Sequence, residues 1–142
     1  MAQEMRSPIE SGCPDAFQYM HPVMRKNYGQ WAYHEDPQPG VLLHVSNNGD
    51  KIWTVRAGTQ RILDVFTLRK LCDIGDEYGE GYIHFTIRSN IEYQVADEAK
   101  VQPLIKAIED AGFIVGGTRN SVAMLSHTQG WLHCDIPGTD AS

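Results

Sequence analysis

The sequence has few of the residues that build a disulfide framework or a structural zinc site. Three cysteines occur among 142 residues, Cys13, Cys72 and Cys134, and none of them forms a CxxC pair. An odd and dispersed set provides neither paired bridges nor the four close donors that tetrahedral zinc requires. We therefore expect reduced thiols and no metal ligands.

Positive charge and long apolar runs are also scarce. Lys and Arg number 12 against 18 Asp and Glu, which gives a formal net charge of −6. This balance argues against a surface that follows the phosphates of nucleic acid. No apolar run approaches the roughly 18 residues of a membrane span, and residues 1–17 lack the apolar core of a secretory signal. The expected location is the cytoplasm.

What the sequence does contain is typical of one globular domain, with 42% hydrophobic and 21% charged residues. Residues 1–40 hold five of the seven prolines and show no sustained periodicity. They predict an extended arm for subunit contact. The regular pattern begins at Gly40.

Residues 41–115 alternate between strand and helix patterns. Residues 41–45 and 52–55 predict a hairpin across an Asn-Gly turn, and residues 83–87 and 91–95 predict two half-buried strands. Thr67 is the expected cap of a first helix with Cys72 facing the core, and Asp97 that of a second. The order predicts an α+β fold, a ferredoxin-like antiparallel sheet with helices on one face.

Two arginines lie on the predicted strands. Strand alternation directs Arg56 and Arg88 away from a face on which Phe85 and Ile87 would pack against the helices. Guanidinium groups suit multi-oxygen anions, so the pair is a candidate site. The alternative is that both arginines cover an exposed sheet face and pair with Glu92 or aspartates.

Residues 116–142 are polar and aromatic and have no clear period. The Gly116-Gly117 step favours a turn, although it would also allow close approach of a bulky cofactor. Cys134 with His127 or His133 is a conceivable nucleophilic pair, but the sequence offers no orienting third group. The segment is typical of a binding site rather than of a scaffold.

Several segments together resemble one family, the dissimilatory sulfite reductase beta subunits. The likeness runs from about residue 11 to the end, in the family's order and spacing. The segments that carry it are residues 21–31 (HPVMRKNYGQW), 53–61 (WTVRAGTQR), 71–74 (LCDI), 85–92 (FTIRSNIE) and 127–134 (HTQGWLHC).

The resemblance implies an alpha2beta2 enzyme that interconverts sulfite and sulfide with sirohaem and a [4Fe-4S] cluster. It implies an alpha-subunit partner, a small electron or sulfur carrier protein, and cluster ligands beyond residue 142. Residues 9–17 resemble the reverse-acting, sulfur-oxidising branch. We expect residues 116–142 to begin the sirohaem-binding domain, and this chain alone to be inactive.

The resemblance also implies roles for individual residues. Arg56 and Arg88 match arginines that bind the anion or the haem carboxylates, and they are the expected catalytic residues. The other matching positions line the tetrapyrrole: Thr59, Arg61, Thr86, Asn90, His127, Thr128, Gln129, Gly130, Trp131 and His133.

Two other interpretations stay open. A ferredoxin-like domain can bind a ligand or a partner without catalysis, which explains the fold equally well. Alternatively the chain keeps the family but lines a haem site that serves only structure.

Overall fold

A computed structural model describes residues 15–60, 62–123 and 138. The α-helices are α1 (Pro22–Lys26), α2 (Val65–Glu77) and α3 (Val101–Asp110), and two short 3₁₀ segments cover Ala16–Tyr19 and Glu98–Lys100. The strands are β1 (Trp31–Gln38), β2 (Val41–Ser46), β3 (Lys51–Gly58), β4 (Ile83–Phe85), β5 (Asn90–Val95) and β6 (Ile114–Val115). None of the helices in the described part of the chain has the combined length and hydrophobicity of a membrane span.

The strands form one antiparallel sheet in the order β1-β2-β3-β5-β4, and β6 pairs with the Ala57–Gly58 end of β3. The β2–β3 hairpin turns at Gly49, whose φ of +88° suits glycine. The predicted hairpin, the two later strands and the α+β class are therefore confirmed.

Helices α2 and α3 cover one face of the sheet and form the core with it. Val55 and Tyr93 of the sheet are fully buried against Leu71 of α2 and Leu104 of α3. Each such side chain contributes about 1.5–3 kcal/mol by leaving water. The Tyr93 hydroxyl donates a hydrogen bond to the Leu71 carbonyl at 2.9 Å, so its polar end is satisfied inside the core.

The start and the buried face of α2 differ from the prediction. Asp64, not Thr67, caps the helix, because its carboxylate accepts a hydrogen bond from the Thr67 amide at 2.7 Å. Leu71 and Ile74 form the buried stripe, whereas Cys72 is exposed. Cys72 lies roughly 100° around the helix from Leu71, which takes it off that stripe.

The buried stripe predicted for the second helix is confirmed, but Asp97 caps the preceding 3₁₀ turn, and α3 itself begins after Lys100, which makes no side-chain cap hydrogen bond. The Asp97 carboxylate accepts from the Ala99 amide at 2.9 Å and starts the 3₁₀ turn that leads into α3. Val101, Leu104 and Ile108 are buried as one stripe, and the helix ends before Gly112.

The N-terminal residues have more structure than an extended arm. Trp31–Gln38 is the edge strand β1, paired with β2, although the sequence predicts no strand there. Its side chains are mostly exposed, so it lacks the alternation that marks a half-buried strand. Residues 15–27 lie across the sheet face opposite α2 and α3. The side-chain amide of Asn27 donates a hydrogen bond to the Asp50 carboxylate at 2.9 Å. Whether this segment also contacts a partner subunit stays a prediction.

Candidate functional site

The sheet face opposite the two long helices is polar. His44, Thr54, Glu92 and Gln94 alternate with core residues on their strands and line a cleft of about 440 Å³ beneath residues 15–27. Met20 is among the apolar residues that close the cleft on the other side. The face therefore combines buried polar groups with an apolar cover.

Arg56 lies on this face and is held by an ion pair. Its Nε donates to Oε1 of Glu92, whose other oxygen lies 3.0 Å from Nδ1 of His84. Nη1 of Arg56 donates to the carbonyl of Gly117 at 3.1 Å. The structure thus shows the pairing with Glu92 that the sequence offered as the alternative for Arg56.

The backbone of Arg56 joins three segments of the sheet. It stands opposite Glu92 in the β3–β5 register, and its amide donates to the Gly40 carbonyl at 2.8 Å. Its carbonyl accepts from the Gly116 amide at 3.3 Å. The side chain therefore starts from a backbone position fixed on both sides.

The predicted residues Thr59, Thr86 and Asn90 lie together at one end of the sheet. The Thr59 hydroxyl donates a hydrogen bond to the Ser89 carbonyl at 2.6 Å. Thr86 Oγ1 accepts one from the backbone amide of Asn90 at 3.1 Å. The β3–β5 register, which places Gly58 opposite Asn90, brings these positions together. Their roles toward a cofactor stay a prediction.

Arg88 lies in the β4–β5 turn at the same end of the sheet and is exposed. The turn passes through Ser89, which has a φ of +60°. Phe85 and Ile87 do not pack against the helices as predicted, because β4 is an edge strand that ends at Phe85. Phe85 is 61% exposed and Ile87 fully exposed. Arg88 therefore stands beside apolar side chains that face solvent.

Two histidines that the sequence analysis did not single out meet across β1 and β2. Nδ1 of His34 lies 2.6 Å from Nδ1 of His44, and Nε2 of His44 lies 3.2 Å from the Thr54 hydroxyl. Burial, and then the charge of His34, lower the pKa of His44. Across residues 15–60, 62–123 and 138, no group of three or more His, Cys, Asp or Glu is arranged to hold a metal.

Comparison with known proteins connects this geometry to one family. Residues 44–111 match the family model of the nitrite/sulfite reductase ferredoxin-like half domain. Three proteins named dissimilatory-type sulfite reductase subunit beta also match. The chain is 47% identical over 130 residues to that of Archaeoglobus fulgidus, 46% over 132 to that of Nitratidesulfovibrio vulgaris and 38% over 149 to that of Megalodesulfovibrio gigas. The chain belongs to the dissimilatory sulfite reductase beta-subunit family.

These alignments cover most of this chain but only part of its relatives. They include 87%, 88% and 99% of the chain, yet 36%, 35% and 57% of the respective family members. The activity, substrates and partners of a whole dissimilatory sulfite reductase are therefore proposals for this chain. Several predicted cofactor residues lie outside the described residues, namely Arg61, His127, Thr128, Gln129, Gly130, Trp131 and His133.

The described residues fit a planar, carboxylate-bearing cofactor such as the sirohaem implied by this beta-subunit family. Oδ1 of Asn90 is buried without a hydrogen-bond partner in the described part of the chain, but it is an acceptor that needs an N–H or O–H donor and would not bind a cofactor carboxylate, which also accepts. Arg88 and Ile87 offer a cation and an apolar surface nearby. Gly58 does not leave an open space for the cofactor. A Cβ there would lie 2.2 Å from the Ala123 carbonyl oxygen, so the chain itself occupies that space.

Proposed function

We propose that this chain is part of a sirohaem-dependent dissimilatory sulfite reductase that interconverts sulfite and sulfide. The observation that carries the proposal is the grouping of Thr59, Thr86, Asn90 and Arg88 at one end of the sheet, in a chain of this family. Exposed apolar side chains beside a guanidinium suit a macrocycle with carboxylate substituents.

In this proposal Arg88 binds an oxyanion, either sulfite or a carboxylate of the cofactor. Its exposed guanidinium can offer two parallel N–H groups to two oxygens. Arg56 adds a second cation whose side chain is 25% exposed and already oriented by Glu92. The two groups would stabilise negative charge on the anion's oxygens and hold the anion in one orientation.

The cofactor and the partners are part of the same proposal. Sirohaem, when bound, would supply the redox chemistry and would exchange electrons with a [4Fe-4S] cluster, which accepts them when sulfide is oxidised and whose ligands we expect beyond residue 142. We propose an alpha subunit in an alpha2beta2 assembly, and a small electron or sulfur carrier protein. The resemblance of residues 9–17 to the reverse-acting branch supports oxidation of sulfide as the physiological direction.

The experiment that tests the function is a visible absorption spectrum. The full-length subunit would be co-expressed with its alpha partner in a host that makes sirohaem, and sulfite would be added to the purified complex. We expect reduced-chlorin bands that shift on addition of sulfite. Absorption bands that do not shift when sulfite is added would favour a haem site that has only a structural role.

The second candidate function is a non-catalytic binding module. The observation that favours it is the cleft of about 440 Å³ under residues 15–27, a volume in the range of small-molecule sites, which Arg88 does not line. A folded but colourless complex in the same experiment would support this candidate and contradict the reductase.

A further inference from the structure

Glu92 has an unusual position for a carboxylate. Its side chain is only 8% exposed, and both oxygens are engaged, one by Arg56 and the other by His84 at 3.0 Å. Burying a charged group is unfavourable unless partners replace the lost water. Glu92 therefore has partners on both sides, Arg56 within β3 and His84 on the edge strand β4.

Arg56 is held at a second point by the segment after β6. Nη1 donates to the Gly117 carbonyl at 3.1 Å. Gly117 has a φ of +83°, and a Cβ there would lie 2.9 Å from the Asn90 amide nitrogen, so glycine allows this close approach. The guanidinium is consequently fixed by two elements that are distant in sequence.

Among the described residues, these contacts leave part of the guanidinium available. An arginine has five N–H donors, and Glu92 and Gly117 engage Nε and Nη1. Among residues 15–60 and 62–123 the structure records no hydrogen-bond partner for Nη2. Arg56 is thus both oriented and able to bind a further acceptor.

We infer that Glu92 is a positioning residue that holds Arg56 so that its remaining N–H groups face an oxyanion. The inference rests on the proposed function, in which the oxyanion is sulfite or a carboxylate of the cofactor. A free arginine side chain has many rotamers. An anion that must order this side chain binds more weakly, because the lost conformational entropy reduces the binding free energy. A guanidinium oriented beforehand by Glu92 avoids that loss.

A purely structural ion pair makes a different prediction. If Glu92 only stabilised the sheet, its substitution would lower the melting temperature but would not act on the anion through Arg56. A double-mutant cycle separates the two cases, because residues that act as one unit give non-additive effects.

The test uses the full-length subunit in complex with its alpha partner, as wild type, Glu92→Gln, Arg56→Gln and the double variant. The control is Glu109→Gln, an exposed glutamate on α3. The measurements are the sulfite dissociation constant from a visible titration and the cofactor content per complex from absorbance. We expect Glu92→Gln to weaken sulfite binding roughly tenfold, but to add nothing to Arg56→Gln.

The cofactor content identifies the oxyanion. If Arg56 holds a cofactor carboxylate, both single variants lose cofactor to a similar degree, the double variant loses no more, and the remaining holoenzyme binds sulfite normally. That result also supports the positioning role of Glu92, and it does not require the wild type to respond to sulfite. A sulfite-insensitive wild type would count against the proposed function alone.

Three results would overturn the inference. One is a loss in Arg56→Gln with none in Glu92→Gln, and another is two losses that simply add. The third is no change in either variant, which removes Arg56 from the site as well. If Glu92→Gln does not assemble, Glu92→Asp replaces it, since it keeps the charge at a shorter reach. A partial loss that vanishes in the Arg56→Gln background is then expected, and an unchanged affinity contradicts the inference.

Discussion

Arg56 and Arg88 illustrate how two arginines with the same sequence pattern acquire different surroundings. Arg56 lies in a central strand and meets Glu92 across the β3–β5 register. Arg88 lies in the turn that leads into β5 and is exposed. Removing Arg56 leaves a buried carboxylate without its main partner, whereas removing Arg88 changes only the surface. Arg88 is therefore the better residue for separating function from stability.

We predict that Arg88→Ala in the full-length complex lowers sulfite turnover by about 10²-fold while the melting temperature stays the same. The size is typical of losing one group that stabilises a developing anion, and an exposed turn residue contributes little to folding. The control is Arg69→Ala, an exposed arginine on α2. Normal turnover with Arg88→Ala would remove this residue from the site.

Tyr93 gives a prediction about stability at high pH. Burial raises the pKa of its phenol above the usual 10.0, so the unfolded chain releases this proton first. The stability that the neutral phenol provides is complete below pH 10 and is lost as the pH rises beyond it. Tyr93→Phe should cost about 1 kcal/mol at neutral pH by losing the bond to Leu71, and should flatten the decline above pH 10.

Urea unfolding of both proteins between pH 7 and pH 11 measures these effects on Tyr93. Tyr33→Phe, on the exposed edge strand β1, serves as the control. An equally steep decline in Tyr93→Phe would assign the alkaline loss to other groups.

At the level of elements, alternation explains which parts of the fold the sequence predicts. Strands β2, β3 and β5 place apolar side chains at every second position and helix α3 buries one regular stripe, so the sequence analysis located them. Strand β1 is exposed on both sides, and β6 has only two residues, so neither produces a readable period. The sequence analysis missed Asp64 because Asp and Thr are both common N-cap residues. Only the position at which the helix begins, Val65, shows that Asp64 is the cap.

Helix α3 provides the clearest test of the core. Leu104 is completely buried between α3 and the sheet, so Leu104→Ala removes apolar burial and leaves a cavity. We predict a loss of about 2–5 kcal/mol in the free energy of unfolding. Denaturant titration measures it, with the exposed Glu109→Ala as the control. A loss below 1 kcal/mol would mean that the sheet and helix close over the space.

The cap of α2 provides a test at acid pH. Hydrogen bonds from Thr67 lower the pKa of the Asp64 carboxyl group below the usual 3.8. The stabilisation is therefore present above pH 3.8 and disappears as the pH falls through the lower, folded-state value. Asp64→Ala should lower the melting temperature at pH 6 and much less at pH 2, with exposed Asp73→Ala as the control. Equal shifts at both pH values would contradict the capping role.

At the scale of the whole molecule, residues 15–27 are attached to the sheet face by a few polar contacts. His21 is buried, accepts from the Val23 amide through Nδ1 at 3.2 Å, and lies 2.6 Å from Glu80 through Nε2. The contact between His21 and Glu80, 59 residues apart, has no sequence signature. For the same reason the sequence could name Thr59 and Asn90 through family resemblance, but could not derive their proximity, which depends on the β3–β5 register.

We predict that His21→Ala releases this N-terminal segment while the sheet remains folded. The variant loses both the helix cap and the contact with Glu80, so trypsin should cleave faster after Arg25 and Lys26. Gln18→Ala, an exposed position in the same segment, is the control. Cleavage at the wild-type rate would show that the other contacts suffice to hold the segment.

The backbone position of Arg56, between Gly40 and Gly116, determines when the site can form. The same two regions are tied together by a hydrogen bond from the Gly40 amide to the Thr118 hydroxyl, 78 residues apart. A ribosome that has released the first hundred residues has supplied strands β1 to β5, yet Gly117 is still missing. Arg56 then has Glu92 but not its second anchor, so a nascent subunit acquires the ordered guanidinium only when β6 joins the sheet.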